Sequence, residues 1–137
     1  MTGSRMFLIG AEERELVLLA DRMSFDDPSL AKEAVRRFCG VAGDDPALPD
    51  YLQMMEESRD WRSEPVRKPG PFDFGDAAHF QRGLDWFSRS VDKKLMRGNP
   101  MGAYMYRGIF GLKAMLFRLG AQVDVHEVMR RERPARA

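Results

Sequence analysis

The stretch that decides the fold is MGAYMYRGIFGLKAMLFRLGAQVDV, residues Met101–Val125. It is the most hydrophobic part of the chain, and it has helix signals at both ends. Asn99-Pro100 combines a favourable cap with a proline at the first helical position, and Gly120 suits a left-handed stop. The sequence therefore predicts a helix over Met101–Leu119. Three basic residues interrupt its apolar run, which argues against a membrane-spanning helix.

The predicted helix is apolar on two sides. Its broad face contains Met101, Tyr104, Met105, Gly108, Leu112, Met115, Leu116 and Leu119. Phe110 and Phe117 lie nearly opposite that face. Helices of this kind are usually central, so we predict a core helix packed by several neighbours; the alternative is an exposed face that docks a partner chain. Gly108 and Gly111 lower helix propensity, which predicts a second backbone passing close to them.

Helix signals recur along the rest of the chain, and strand signals are nearly absent. Further helices are predicted over about 11–23, 28–39, 49–62, 77–96 and 125–131, with Asp27, Asp76 and Asp124 as caps and Gly40 as a stop. The residues predicted to form their buried stripes are Leu16, Leu19, Ala20 and Met23; Ala31, Ala34, Val35 and Phe38; Leu52, Met55 and Trp61; and Phe80, Leu84, Phe87, Val91 and Leu95.

These elements predict an all-α single domain of five or six helices with the 101–119 helix at its centre. Residues 1–10 are an N-terminal segment, 11–132 the helical domain and 133–137 a basic tail. The segment 63–75 is rich in proline and glycine, and we expect it to be an irregular linker inside the domain.

Composition excludes several classes of function. The 137 residues carry 22 basic and 21 acidic side chains, and this balance argues against a dedicated nucleic-acid binder. The single cysteine, Cys39, cannot form an intramolecular disulfide, and we expect it to be a small buried apolar residue. The apolar part of the N-terminus is too short for a signal peptide, which favours a cytoplasmic protein.

Asp73-Phe74-Gly75 spells the magnesium-binding triplet of protein kinases. A kinase also needs a glycine-rich loop, a strand lysine and a catalytic loop before it, and residues 1–72 show none of these. The triplet therefore predicts a structural role, in which Phe72 and Phe74 fill space, Gly75 makes a bend and Asp76 caps the next helix.

No catalytic, cofactor-binding or metal-binding residue is predicted. Asp76 and His79 share one helix face and could present two metal ligands, but His126 is a poor match for the second histidine of such a site. We expect His79 to be partly exposed and without a special role.

Two segments resemble the C-terminal helical region of the UbiB/AarF atypical kinase-like proteins. Residues 106–112 and 118–125 are similar to the closing helix of that family, which shows an aromatic residue or histidine, an arginine, a spaced Gly-Leu and then Arg-Leu-Gly-Ala. The positions that match are Arg107, Gly111, Leu112, Leu119, Gly120 and Ala121. Residues 70–76 are similar to the phenylalanine–aspartate segment that precedes the last helices of the family.

The resemblance covers about residues 70–125, and the catalytic half of the family has no counterpart here. It implies a non-catalytic helical module that docks to a kinase-like catalytic chain or to a complex of isoprenoid-lipid (quinone) metabolism, in the cytoplasm or at the periphery of the inner membrane. It assigns structural or interface roles to Phe72, Asp73, Phe74, Arg107, Gly111, Leu112, Leu119 and Gly120. Arg107, among apolar neighbours, is expected to be buried and to make a structural or interfacial polar contact.

The alternative function is a small helical carrier of a hydrophobic ligand. A bundle rich in methionine and phenylalanine could hold an isoprenoid tail between its helices. Such a carrier would contain an internal apolar cavity, and its melting temperature would rise when quinones or prenols are added.

Overall fold

The computed structural model of the protein describes residues 10–95 and 100–132, apart from the side chains of residues 13 and 100–103. The helices are α1 (Ala11–Phe25), α2 (Ala31–Cys39), α3 (Leu48–Ser63), α4 (Ala77–Asp92), α5 (Pro100–Arg118) and α6 (Val125–Glu132). Two short 3-10 turns cover Pro28–Leu30 and Glu64–Val66, and two-residue strands lie at Phe72–Asp73 (β1) and Gln122–Val123 (β2). The predicted all-α fold is confirmed.

The first three helices pack on one another around a common core. The predicted stripes of α1 and α2 are confirmed at the residues that are buried here, namely Leu16, Leu19, Ala20, Met23, Ala34, Val35 and Phe38. Met55 and Trp61 are buried on α3 as predicted, and Leu52 is half-buried. The apolar residues of this region therefore follow the helical period that the sequence shows.

The predicted caps are confirmed where the structure describes them. Asp27 and Asp76 accept hydrogen bonds from the backbone N–H groups of Ser29 and Ala78, at 3.0 and 2.9 Å. Asp124 accepts one from Glu127 N at 3.0 Å. Gly40 and Gly120, with φ of 67° and 58°, end α2 and α5 in the left-handed conformation. Asn99 lies outside the described residues.

A short clasp joins the segment before α4 to the segment after α5. In it β1 and β2 pair antiparallel, with Phe72 opposite Val123, and Phe74 N donates to Ala121 O at 2.8 Å. A Cβ atom on Gly75 would lie 3.1 Å from the Cα of Gly120, so the two backbones approach closely here. The region predicted as a linker therefore contains a 3-10 turn and a strand that bind it to the domain.

The predicted buried stripe of α4 is wrong in part. The buried residues are His79, Gly83, Trp86 and Ser90, one position before the predicted set, whereas Leu84 and Val91 are exposed. The physical reason is packing against α3: Gly83 lets Trp61 approach the helix backbone, and this orientation turns Trp86 inward. The helix also ends at Asp92, before the predicted end near Met96, which lies outside the described residues.

The prediction that α5 is a core helix holds for only one of its two apolar sides. The helix packs mainly on α4, and its inward side carries Phe110, stacked on Trp61 at 4.8 Å, and Phe117, stacked on Phe80 at 4.7 Å. Aromatic rings bury more area than aliphatic chains, so this side faces the protein and the broad aliphatic face turns outward. A Cβ atom added at Gly108 or Gly111 would meet nothing within 4 Å, so the second backbone predicted there is not found within the described chain.

Candidate functional site

Two features of the described chain carry chemistry or surface suited to function. The first is a buried cluster around Lys113, whose side chain points to the inner side of α5 and is only 8% exposed. Its Nζ atom donates to the carbonyl oxygen of Trp61 at 3.2 Å and lies 3.0 Å from Nε2 of His79. The same atom lies 3.9 Å from the centre of the Trp61 ring, within cation–π distance.

The tautomer of His79 follows from its partners. Nδ1 of His79 lies 2.9 Å from Oε2 of Glu64, and an ionised carboxylate can only accept a hydrogen bond. The proton therefore sits on Nδ1, and Nε2 accepts a hydrogen bond from Lys113. Arg82 also pairs with Glu64, and Trp61 Nε1 donates to the carbonyl oxygen of His79 at 2.8 Å. Glu64, His79 and Lys113 thus form one hydrogen-bonded chain.

Burial sets the charges in this cluster. It lowers the pKa of Lys113 to about 7, although the charge of Glu64 opposes the shift. Burial and the nearby Lys113 charge lower the pKa of His79 as well. For Glu64, burial opposes ionisation, but hydrogen bonds from His79 and Arg82 outweigh it and hold the pKa of the carboxyl below its usual range. At neutral pH the chain therefore contains a carboxylate, a neutral imidazole and a partly protonated amine.

The chain of groups could move a proton, but its position does not suit catalysis. Phe72 and Phe74 stand edge-on against the His79 ring, with ring centres 4.9 and 6.4 Å away, and Trp61 stacks on it. A catalytic group has to reach its substrate, and both Lys113 and His79 are covered. Because the groups come from α3, α4, α5 and the turn at Glu64–Val66, we assign to the cluster the role of holding these elements together.

The prediction for His79 is wrong in one respect, because this residue is 1% exposed instead of partly exposed. Both of its ring nitrogens have partners, so it does not face a metal with Asp76. Among the described residues, no group of three or more His, Cys, Asp or Glu side chains is arranged to hold a metal ion.

Sequence reasoning missed Lys113 and Glu64. A signal for Lys113 existed, because it lies on the side of the helix that carries Phe110 and Phe117, where a lysine needs a polar partner. Glu64 lies in the segment that we predicted to be irregular, and no local pattern distinguishes it from the other acidic residues.

The second feature is an exposed apolar surface on the outer side of α5. We call it the α5 face and define it by six residues: Tyr104, Gly108, Gly111, Leu112, Met115 and Leu119. The exposed fractions of its four large side chains are 70% for Tyr104, 56% for Leu112, 57% for Met115 and 72% for Leu119. A contiguous apolar surface of this kind commonly marks an interaction site.

One edge of the α5 face is basic. Arg107 and Arg118 are both exposed, and neither has an ion pair with any residue that the structure describes. The sequence of α5 contains no Asp or Glu. Arg107 is therefore exposed, not buried as expected, and lies at the border of an apolar surface.

The residues singled out by the family resemblance fall into two groups. Phe72, Asp73, Phe74 and Gly120 meet at the clasp, where Phe74 is buried and Asp73 accepts a hydrogen bond from Gly75 N at 2.9 Å. The other group lies on or beside the α5 face and comprises Arg107, Gly111, Leu112 and Leu119. The first group thus stabilises the fold, and the second is available to a partner.

Cys39 is half-buried, and burial raises the pKa of its thiol to about 11, so it is not a reactive thiolate at neutral pH.

Within the described ranges, no helix is both long enough and apolar enough to cross a membrane. No protein-family model, curated protein or solved structure matches the chain. The resemblance to UbiB/AarF proteins and the alternative of a hydrophobic carrier therefore stay predictions.

Proposed function

We propose that the protein is a non-catalytic helical interaction module that docks to another protein through the α5 face. The observation that carries the proposal is the exposure of Tyr104, Leu112, Met115 and Leu119 on one side of one helix. The contact of these four apolar side chains with water is unfavourable. A partner that covers them would gain binding free energy in proportion to the apolar area buried.

The inner side of the same helix supports this proposal. Lys113 and Phe110 bind α5 to Trp61, and Phe117 stacks on Phe80 of α4. These contacts hold the helix in a fixed orientation, so the outer side chains are presented with little loss of conformational freedom on binding.

The resemblance to UbiB/AarF proteins supplies the first partner to test. It favours a kinase-like catalytic chain or a complex of isoprenoid-lipid (quinone) metabolism, in the cytoplasm or at the periphery of the inner membrane. Arg107, Gly111, Leu112 and Leu119, which carry part of that resemblance, are also residues of the α5 face or its border, and this overlap supports docking as the shared role.

The test is affinity capture of partners from soluble and membrane extracts of the source organism with three versions of the tagged chain. They are the unchanged chain, the α5-face variant Leu112→Gln/Leu119→Gln, and the control variant Leu18→Gln/Val91→Gln. The control replaces exposed apolar side chains of α1 and α4, which are 54% and 48% exposed. Captured proteins are identified and quantified by mass spectrometry.

We expect the unchanged chain and the control variant each to capture one protein in an amount near that of the tagged chain. The α5-face variant should not capture this protein. Capture of a kinase-like chain would also support the family relationship. Equal capture by all three versions, or no stoichiometric protein with any of them, would contradict docking through α5.

A further inference from the structure

The centre of the α5 face contains a shallow notch. Gly108 and Gly111 lie between the larger side chains of the face, and a Cβ atom added at either position would meet nothing within 4 Å. Glycine inside a helix lowers its stability relative to alanine. The described chain gives no packing reason for these glycines, whereas a partner backbone that approaches the helix closely would give one.

The two arginines at the border of the α5 face lie on the same edge of it. Arg107 and Arg118 are 11 residues apart in the sequence, which is about three helical turns and about 16 Å along the axis. A partner that follows the apolar surface would therefore pass both guanidinium groups along one side. Asp or Glu side chains of the partner on that side could pair with Arg107 and Arg118, neither of which has an ion pair among the residues that the structure describes.

We infer that the partner binds with an amphipathic helix that has an apolar stripe and a row of Asp or Glu residues along one edge. This inference rests on the proposed docking function and adds the chemistry of the partner. The apolar stripe covers Leu112, Met115 and Leu119, the helix backbone enters the notch at Gly108 and Gly111, and the acidic edge pairs with Arg107 and Arg118.

Two other occupants fit less well. In an antiparallel pair of two copies centred on the middle of the α5 face, Arg107 would lie beside Arg118 of the partner subunit, and like charges repel. An anionic membrane would satisfy the arginines and the apolar side chains, but a lipid surface makes no use of the notch at Gly108 and Gly111. Complementarity of charge and shape together favours a helix.

The test is a displayed library of 20-residue helices with a fixed apolar stripe and randomised edges, selected against the full chain. We expect enrichment of Asp and Glu at edge positions about three turns apart. A parallel selection on the charge-reversal variant Arg107→Glu/Arg118→Glu should enrich Lys and Arg there instead. The matched control is Arg14→Glu/Lys68→Glu, which makes the same change of charge away from the α5 face.

An acidic-edged helix from the library should bind the charge-reversal variant roughly 3- to 30-fold more weakly than the unchanged chain, as two exposed ion pairs would give, and the control equally well. Enriched helices without an acidic bias, or no enriched helix, would overturn the inference. So would tighter binding to vesicles containing phosphatidylserine, or a dimer in sedimentation equilibrium that Leu119→Gln dissociates. Docking itself would still stand if the captured partner depends on Leu112 and Leu119.

Discussion

A lysine inside an apolar core is costly unless it is paired, and Lys113 shows how the chain meets that cost. Its amine has an acceptor in Trp61 O, an acceptor in His79 Nε2 and a ring face beside it. Burial shifts the pKa of the amine to about 7, so the charge can be lost where solvation is poor. The residue is thus a structural contact whose strength depends on pH.

The pKa of Lys113 predicts the sign of this dependence. Below about pH 7 the amine is protonated in both states; between that value and its ordinary pKa of 10.5 only the unfolded chain binds the proton. The free energy of unfolding should therefore rise with pH above 7, by up to about 1.4 kcal/mol per unit. Lys113→Met should remove this rise, whereas Lys68→Met, at an exposed position, should retain it.

The measurement is urea unfolding between pH 6.5 and 8.5. The upper limit of pH 8.5 avoids the titration of Cys39, whose thiol has a pKa of about 11 in the folded protein and 9.0 ordinarily. Above about pH 9 the thiol ionises in the unfolded chain first, and the free energy of unfolding then falls as the pH rises. If the unchanged chain shows no rise between pH 7 and 8.5, Lys113 is charged or solvated in the folded state and the structural role given to it is wrong.

Gly83 gives the second prediction at this scale. An added Cβ atom would overlap the six-membered ring of Trp61, which is 2% exposed and held by its hydrogen bond to His79 O. The indole cannot move aside, so Gly83→Ala should reduce the free energy of unfolding by about 3 kcal/mol. Thermal or urea unfolding measures this, and a loss below about 0.5 kcal/mol would show that the ring is free to shift.

The residue scale is where the sequence was least informative. His79 is buried because of Glu64 and Lys113, which lie 15 and 34 residues away in the chain. No local pattern contains those partners, so the sequence predicts a partly exposed His79. By contrast, Phe74 was correctly predicted to fill space, because a phenylalanine beside a glycine bend has few other roles.

At the scale of the element, helix ends were predictable and helix faces were not. Caps such as Asp27, Asp76 and Gly40 act within a few residues, so the sequence alone shows them. The face of a helix depends on which neighbour it meets. In α5 both sides are apolar, and the choice between them was decided by Phe110 and Phe117, whose stacking partners are on α3 and α4.

The glycines of α5 give a prediction of opposite sign to Gly83. Gly108 and Gly111 are exposed and helical, and an added methyl group meets nothing within 4 Å. Gly108→Ala and Gly111→Ala should each raise the free energy of unfolding by about 0.5–1 kcal/mol, since alanine favours the helix. The same changes should weaken the binding of an acidic-edged helix to the α5 face, because the added methyl groups fill the notch. Unfolding and binding are measured on the same samples, and destabilisation by either change would contradict an open notch.

For the whole molecule, the all-α architecture followed from the sequence, but the position of its longest apolar helix did not. Helical spacing specifies how many helices form and roughly where, whereas the core they share is decided by long-range packing. The first three helices supply most of the buried apolar residues. Helix α5 packs on this core with its inner side only, and its outer side is exposed. The exposed α5 face therefore depends on tertiary packing, and the sequence predicts it only as the alternative to a core helix.

The clasp between β1 and β2 also has a consequence for the dynamics of the molecule. Because β1 and β2 pair where the chain enters α4 and where it leaves α5, these two helices can unfold together without separating the ends of the remaining chain. In hydrogen exchange, we expect the amides of α4 and α5 to exchange together. A partner bound to α5 should then protect α4 as well; independent exchange of the two helices would contradict this cooperative unit.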